Sequence, residues 1–144
     1  MTKPPMLTAQ QALDHLLSHA KPVHENENVP VQAALGRVLA ENVQSLVDVP
    51  PLDNTSMDGY AVRTADTASS GRVLRVAQRI PAGSVGTQLE QGTAARIFTG
   101  APVPPGADAV VMQEDCVIPE GSVDQVQVNT VPTIGQWIRR RGED

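Results

Sequence analysis

The 144-residue chain has few aromatic side chains, a single cysteine and no long apolar run. One Phe, one Trp and one Tyr provide little for base stacking, and a net charge of −5 does not attract nucleic acid. The lone Cys116 excludes an internal disulfide and suits a reducing compartment. No apolar stretch approaches the roughly 18 residues that span a bilayer, and the N-terminus lacks a signal-peptide pattern. We therefore expect a soluble, cytoplasmic protein that binds neither nucleic acid nor membrane.

What is present is an ordinary globular composition, with 40% hydrophobic and 19% charged residues. The core must therefore consist of Val, Leu, Ile and Ala. Tyr60 lies in an apolar stretch and is expected to pack in this core.

The N-terminal part predicts one amphipathic helix. Thr8 and Gln11 have capping-box spacing, and apolar residues then recur at helical period from Ala9 to about His19. Residues 1–5 before it are expected to be frayed. Val31 to Leu35 predicts one further helical turn, and residues 38–43 predict a strand.

The remainder predicts short strands separated by Gly and Pro clusters, a pattern typical of a β-rich body. The predicted strands are Tyr60-Ala61-Val62, Val73 to Ile80, Ala94 to Thr99 and Ala107 to Gln113, followed by a hairpin from Val117 to Val128. We therefore predict an α+β fold that is mostly β.

A polar turn precedes the first of these strands, in the stretch V-P-P-L-D-N-T-S-M-D-G-Y-A-V-R from Val49 to Arg63. Asp-Asn and Asp-Gly pairs bond their own backbone and tolerate left-handed φ, so the turn is expected to hold one shape. Its polar side chains are Asp53, Asn54, Thr55, Ser56 and Asp58. From the residues alone, a solvated turn and a binding loop both remain open.

Two further segments have binding chemistry. Thr99-Gly100 ends a strand, and its hydroxyl and N–H groups suit an oxyanion, although a Pro-rich loop closing the edge of the sheet explains the segment equally well. Arg139, Arg140 and Arg141 suit phosphate or carboxylate, and a solvated charged tail is the alternative. The chain then stops after Glu143-Asp144, which suggests a cut within a longer protein.

Together these segments resemble the N-terminal region of the MoeA family, the molybdopterin molybdenumtransferases that include the E domain of gephyrin. The matching stretches are D-V-P-P-L-D-N-T-S-M-D-G-Y-A-V-R (Asp48 to Arg63), R-I-F-T-G-A-P-V-P-P-G-A-D-A-V-V-M-Q-E (Arg96 to Glu114) and I-R-R-R-G-E-D (Ile138 to Asp144). The resemblance implies bifurcated, coiled β-sheets, with a first lobe in residues 1–45, an inserted β-rich lobe in 46–132 and a return to the first lobe in 133–144.

The resemblance also implies a function. Family members insert molybdenum from molybdate into adenylylated molybdopterin and release AMP, and a molybdopterin adenylyltransferase is the expected pathway partner. They are homodimers whose active site lies between this region and an α/β domain of the other subunit. This chain would stop before that domain, so it would hold half a site and be inactive alone. The alternative is a non-catalytic dimerisation or scaffold module of the gephyrin type.

By resemblance, four residues match positions that line the family's active cleft: Asp58, Thr99, Arg139 and Asp144. Ser56 is a further candidate oxyanion donor, and Arg139 and Arg141 are candidate phosphate-binding residues. Carboxylates beside anionic substrates repel them unless a cation intervenes. Asp58 and Asp144 are therefore interpreted as ligands of Mg²⁺ or Zn²⁺, directly or through water, or as groups that orient water for the release of AMP. Cys116 is interpreted as a small buried hydrophobe rather than a molybdenum ligand.

Overall fold

The computed structural model describes residues 6–144, and the predicted frayed residues 1–5 lie outside this range. The chain divides into two compact units, with the boundary between Gln44 and Ser45. The return of residues 133–144 to a first lobe stays a prediction. None of the described helices is long and apolar enough to cross a membrane.

The first unit contains one α-helix, α1 (Ala9–His19). The predicted capping box is confirmed: the Thr8 hydroxyl accepts from the Gln11 N–H at 3.2 Å, and the Gln11 side chain accepts from the Thr8 N–H at 3.0 Å. The helix buries none of its residues, and its apolar side chains remain exposed, with Leu16 at 68%. The apolar stripe of α1 therefore has no core of its own in the described chain.

The strand predicted at residues 38–43 is wrong. The predicted helical turn forms a single 3₁₀ turn (Val31–Ala33), but residues 38–43 are irregular. A strand needs a hydrogen-bonded neighbour, and no strand is found among residues 6–44. The three apolar residues before Glu41 and Asn42 therefore have no neighbouring strand with which to pair.

The second unit is built from eight strands. They are β1 (Asn54–Thr55), β2 (Gly59–Val62), β3 (Arg72–Ile80), β4 (Thr93–Ile97), β5 (Ala109–Met112), β6 (Cys116–Val117), β7 (Gln125–Val128) and β8 (Ile138–Arg139). The predicted strands and the β6–β7 hairpin are thus confirmed, with ends that differ by at most two residues.

Six strands form one curled sheet in the order β5-β2-β4-β3-β7-β6. Only β3 and β4 are parallel, and the other pairs are antiparallel. The edge strands β5 and β6 lie at opposite ends of this order, yet only the 3₁₀ turn Gln113–Asp115 joins them in sequence. The sheet must therefore bend round until its edges come close, which gives a nearly closed barrel. β1 and β8 form a separate antiparallel pair.

Both faces of the sheet are covered by apolar side chains. One face carries the cluster Tyr60, Val62, Leu74, Ala94, Ala109, Val111, Val126 and Val128. The other carries Ala61, Ile80, Leu89, Ala95, Ile97, Ala101 and Val110. Strand β2 is buried along its whole length, so its apolar residues run continuously instead of alternating. The expected aliphatic core is confirmed, and Tyr60 is its buried aromatic residue.

Gly59 is required where β2 lies between β4 and β5. A Cβ atom at this position would lie 1.9 Å from the backbone oxygen of Val111, which cannot move without breaking the pairing of β2 with β5. The residue after Asp58 must therefore be glycine for a steric reason.

We predict that Gly59→Ala destabilises the protein by about 3 kcal/mol or more, at the upper end of overpacking costs, because the clash falls on backbone atoms. Urea unfolding measures the change. Gly121→Ala is the control: Gly121 has a φ of 75° and nothing within 4 Å, so alanine there costs only about 1–2 kcal/mol of left-handed backbone strain. Equal losses in the two variants would contradict the close approach.

Candidate functional site

The polar turn begins at Asp53, whose carboxylate binds the C-terminal segment. It accepts a hydrogen bond from the Arg140 side chain at 2.6 Å and one from the Arg141 backbone N–H at 2.8 Å. The backbone bond from Arg141 and the side-chain bond from Arg140 lower the pKa of Asp53 below its ordinary value of 3.8. Asp53 is therefore ionised at neutral pH and fixes the start of the turn.

The next residues pair with the strand that precedes the arginines. Asn54 lies opposite Arg139, and buried Thr55 lies opposite Ile138. The Thr55 hydroxyl donates to the Met57 carbonyl at 2.7 Å and accepts from its N–H at 3.1 Å. This local pair of hydrogen bonds closes the turn and places Asp58 at its end.

Ser56, a predicted oxyanion donor, makes its contacts within the protein. Its backbone N–H and its hydroxyl both donate to the carbonyl of Trp137, at 3.1 and 3.2 Å. Trp137 has a φ of 58°, in the left-handed region that few large residues adopt. These contacts join the turn to the chain just before Arg139, and the ligand-binding role of Ser56 stays a prediction.

Asp58 and Thr99, both predicted site residues, are in direct contact. One carboxylate oxygen of Asp58, Oδ1, accepts from the Thr99 backbone N–H and from its hydroxyl, each at 2.7 Å. The backbone bond and then the hydroxyl bond lower the pKa of Asp58 below its ordinary value. Its second oxygen, Oδ2, receives no hydrogen bond from the described residues. The pair thus presents an ionised carboxylate with one oxygen available to a ligand.

The loop after Thr99 is tied to the same turn by backbone hydrogen bonds. The Gly100 N–H donates to the Thr55 carbonyl at 2.8 Å, and the Thr55 N–H donates to the Ala101 carbonyl at 3.0 Å. Gly100 has a φ of 81°, which favours glycine at this sharp turn. The Pro-rich segment therefore holds Thr99 against Asp58.

Each arginine of the C-terminal run has a carboxylate partner. Arg139 pairs with Asp144 and with Glu143. Arg140 pairs with Asp53, and Arg141 pairs with Asp48 beside a surface cavity of about 360 Å³. Exposed ion pairs of this kind contribute only about 0–1 kcal/mol each, so an anionic ligand can compete for them. The predicted phosphate-binding role of Arg139 and Arg141 stays a prediction.

The two predicted metal ligands are bound to different residues of the protein. Asp58 is bound by Thr99, and Asp144 is bound by Arg139. Residues 6–144 contain no group of three His, Cys, Asp or Glu side chains that could hold a metal ion. Mg²⁺ typically takes only one or two protein carboxylates besides substrate phosphates and water. Oδ2 of Asp58 could serve as one such carboxylate ligand.

Cys116 is half-buried and packs against the core cluster that contains Tyr60. The pKa of its thiol is raised to about 12, chiefly by burial, so the thiol is neutral at physiological pH.

Three contributors to the site could not be assigned from the sequence: the arginine partners Asp48 and Asp53, and the left-handed Trp137. The adjacent charges of the arginine run indicate that carboxylate partners are needed, but not which ones.

The comparison with known families follows this geometry. The family model for the MoeA N-terminal region, domains I and II, matches residues 7–144, and the chain therefore belongs to this family. The three matching segments quoted above supply the Asp53, Asp58, Thr99 and arginine contacts of the site.

Among similar proteins, molybdopterin molybdenumtransferase 2 of Mycobacterium tuberculosis is 40% identical over 140 residues, which cover 94% of this chain and 33% of that protein. The molybdopterin molybdenumtransferase of Haemophilus influenzae is 39% identical, with 96% of this chain and 34% of that protein covered. The chain thus spans about a third of the length of these relatives.

The fold is also similar to that of a solved structure, the molybdopterin biosynthesis moeA protein of Pyrococcus horikoshii OT3. The two chains superpose with a TM-score of 0.75 at 38% identity, over 94% of this chain and 36% of the other. This match confirms the predicted α+β, mostly β fold class.

We predict that the protein loses stability as the pH falls through and below 3.8. Asp53 and Asp58 have lowered pKa values in the folded chain, so their stabilisation is fully present above 3.8 and is lost towards their lower folded values. Urea unfolding at pH 6 and pH 3, followed by the fluorescence of Trp137, the only tryptophan, measures the loss.

Asp53→Asn is expected to reduce this pH dependence, because the substituted side chain does not titrate. Asp124→Asn is the matched control, since the Asp124 side chain is exposed and makes no hydrogen bond with the described residues. A pH dependence that Asp53→Asn leaves at the wild-type value would contradict the role given to Asp53.

Proposed function

We propose that this chain is the N-terminal region of a molybdopterin molybdenumtransferase, an enzyme that inserts molybdenum from molybdate into adenylylated molybdopterin. Family membership and relatives of that name at about 40% identity support this function. The observation that carries it is the Asp58–Thr99 pair, which holds an ionised carboxylate with one oxygen available to a ligand.

The residues of the site would divide the work as follows. Asp58 would orient water or a cation at the phosphate that is cleaved when AMP is released, and Thr99 would hold Asp58 in place. Arg139 and Arg141 would exchange part of their pairing with carboxylates for substrate phosphate. Ser56 would donate to a substrate oxygen.

A divalent cation fits this arrangement. Mg²⁺, or alternatively Zn²⁺, would be held by Oδ2 of Asp58, and also by Asp144 once Arg139 turns to substrate phosphate and releases it. The cation would offset the repulsion between these carboxylates and the anionic substrates.

We also propose that the site is shared between the subunits of a homodimer. The exposed apolar stripe of α1 supports this proposal, because an amphipathic helix without a core needs another protein surface. The region alone would then be catalytically inactive. We place the enzyme in the cytoplasm, with a molybdopterin adenylyltransferase supplying its substrate.

The direct test compares full-length protein with its Asp58→Asn variant, following AMP release from adenylylated molybdopterin with and without molybdate. Asparagine keeps an oxygen that can accept both bonds from Thr99 but has no charge. We therefore expect molybdate-dependent AMP release to fall by about 100-fold or more, in the range of a lost acid–base or electrostatic group, while size and thermal stability stay unchanged.

Asp124→Asn removes one charge elsewhere in the same unit and is expected to keep full activity. If Asp58→Asn releases AMP as fast as the control, the turn at Asp58 is structural only. The gephyrin-type scaffold would then be the better account, with the exposed stripe of α1 as its assembly surface.

A further inference from the structure

Arg96 on β4 forms no ion pair with the described residues, although its positive charge contributes to the lowered pKa of Asp58. Its guanidinium donates to the carbonyls of Gly59 and Ile97, each at 2.8 Å, and to the side-chain oxygen of Gln113 at 2.7 Å. All three acceptors are neutral. Among the described residues, no carboxylate lies within 4 Å of this half-buried side chain, so its orientation is set while its charge remains available.

A second arginine that forms no ion pair lies beside it. Arg79 on β3 is directly opposite Arg96 in the register of the parallel pair β3–β4. Like charges in this position are destabilising. The guanidinium carbons of Arg79 and Arg96 lie 4.4 and 4.3 Å from the ring centre of Phe98, which offsets part of the repulsion. The Arg79 side chain makes no hydrogen bond or ion pair with the described residues.

This concentration of positive charge is unusual in a chain of net charge −5. The arginines at 139–141 each have a carboxylate partner, whereas Arg79 and Arg96 share only an aromatic ring. Because the two guanidinium carbons contact the same ring, they lie within about 9 Å of each other. The oxygens of one phosphate group can accept hydrogen bonds from more than one guanidinium group.

A cavity adjoins Arg96. Its volume is about 330 Å³, and Arg96 is its only charged lining residue; the others are Tyr60, Gln113, Cys116, Val117 and Ile118. This volume lies at the lower end of the range of small-molecule sites, which often occupy the mouths of β-barrels. The neutral Cys116 thiol does not oppose an anion there. Two acidic residues, Glu114 and Asp115, lie near enough to this thiol to contribute to its raised pKa, and the positive charge of Arg96 must outweigh them. The Gln113 amide donates a hydrogen bond to Glu114.

We propose that Arg79, Phe98 and Arg96, together with this cavity, form a binding site for a small ligand that carries a phosphate or another tetrahedral oxyanion. The two guanidinium groups bind the anion, and the cavity beside Tyr60 accepts the rest of an organic ligand. The site adjoins the Asp58–Thr99 pair through Phe98 but uses none of its polar groups, so it does not rest on the function proposed above.

Calorimetric titration of the protein with inorganic phosphate, at ionic strength held constant with chloride, tests the site. We expect saturable binding that Arg79→Gln weakens at least about tenfold, as for loss of a charge-assisted contact. Arg79 is exposed and unbonded, so the variant is expected to fold, and thermal unfolding checks this. Arg75→Gln is the matched control, because Arg75 is exposed on the same strand, lacks an ion pair and is not stacked on Phe98.

Parallel titrations with AMP and with molybdate distinguish the sources of the anion. Tighter binding of AMP than of phosphate, lost in Arg79→Gln, supports an organic phosphate that uses the cavity. Binding of phosphate and molybdate alone, with the same loss, supports an inorganic oxyanion site. The proposal is overturned if none of the three ligands binds saturably, if Arg79→Gln leaves binding unchanged, or if Arg75→Gln weakens it equally.

Discussion

The shape of the polar turn depends on its two carboxylates, each of which is bound by backbone and side-chain donors from a distant part of the chain. Asp53 receives hydrogen bonds from Arg140 and Arg141, and Asp58 receives them from Thr99. These contacts bring three separated segments together at one end of the unit. The backbone bonds of Thr55 and Ser56 also hold the turn, but without Thr99 the Asp58 carboxylate would lose the donors that fix its side chain.

The curled sheet supplies the rigid support for this turn. Strand β2 follows the turn immediately, is buried on both faces and lies between β4 and β5. Gly59 allows this close packing directly after Asp58, while β4 leads directly to Thr99. The same sheet places Arg79 opposite Arg96, so one framework positions a carboxylate and two arginines that form no ion pair. Sites built on strands hold their groups more precisely than sites built on free loops.

Local patterns predicted local structure well. The capping box of Thr8 and Gln11 located α1, and the apolar runs located the strands, because both signals depend only on near neighbours. The strand expected at residues 38–43 failed because strand formation requires a partner that periodicity does not reveal. Likewise, the pairing of Asp53 with Arg140, 87 residues apart, cannot be predicted from turn signals. The contact of Asp58 with Thr99 was accessible only as a family resemblance, and the left-handed Trp137 had no signal.

The central claim is that the fold holds Asp58 as a fixed, ionised carboxylate against Thr99. NMR titration of the Asp58 carboxyl carbon in the folded protein and in Thr99→Val tests it most directly. The structure predicts a pKa below 3.8 in the wild type, and a partial rise towards 3.8 in the variant, because the hydroxyl donor is lost while the backbone donor remains. A wild-type pKa at or above 3.8, unchanged in Thr99→Val, would contradict the account.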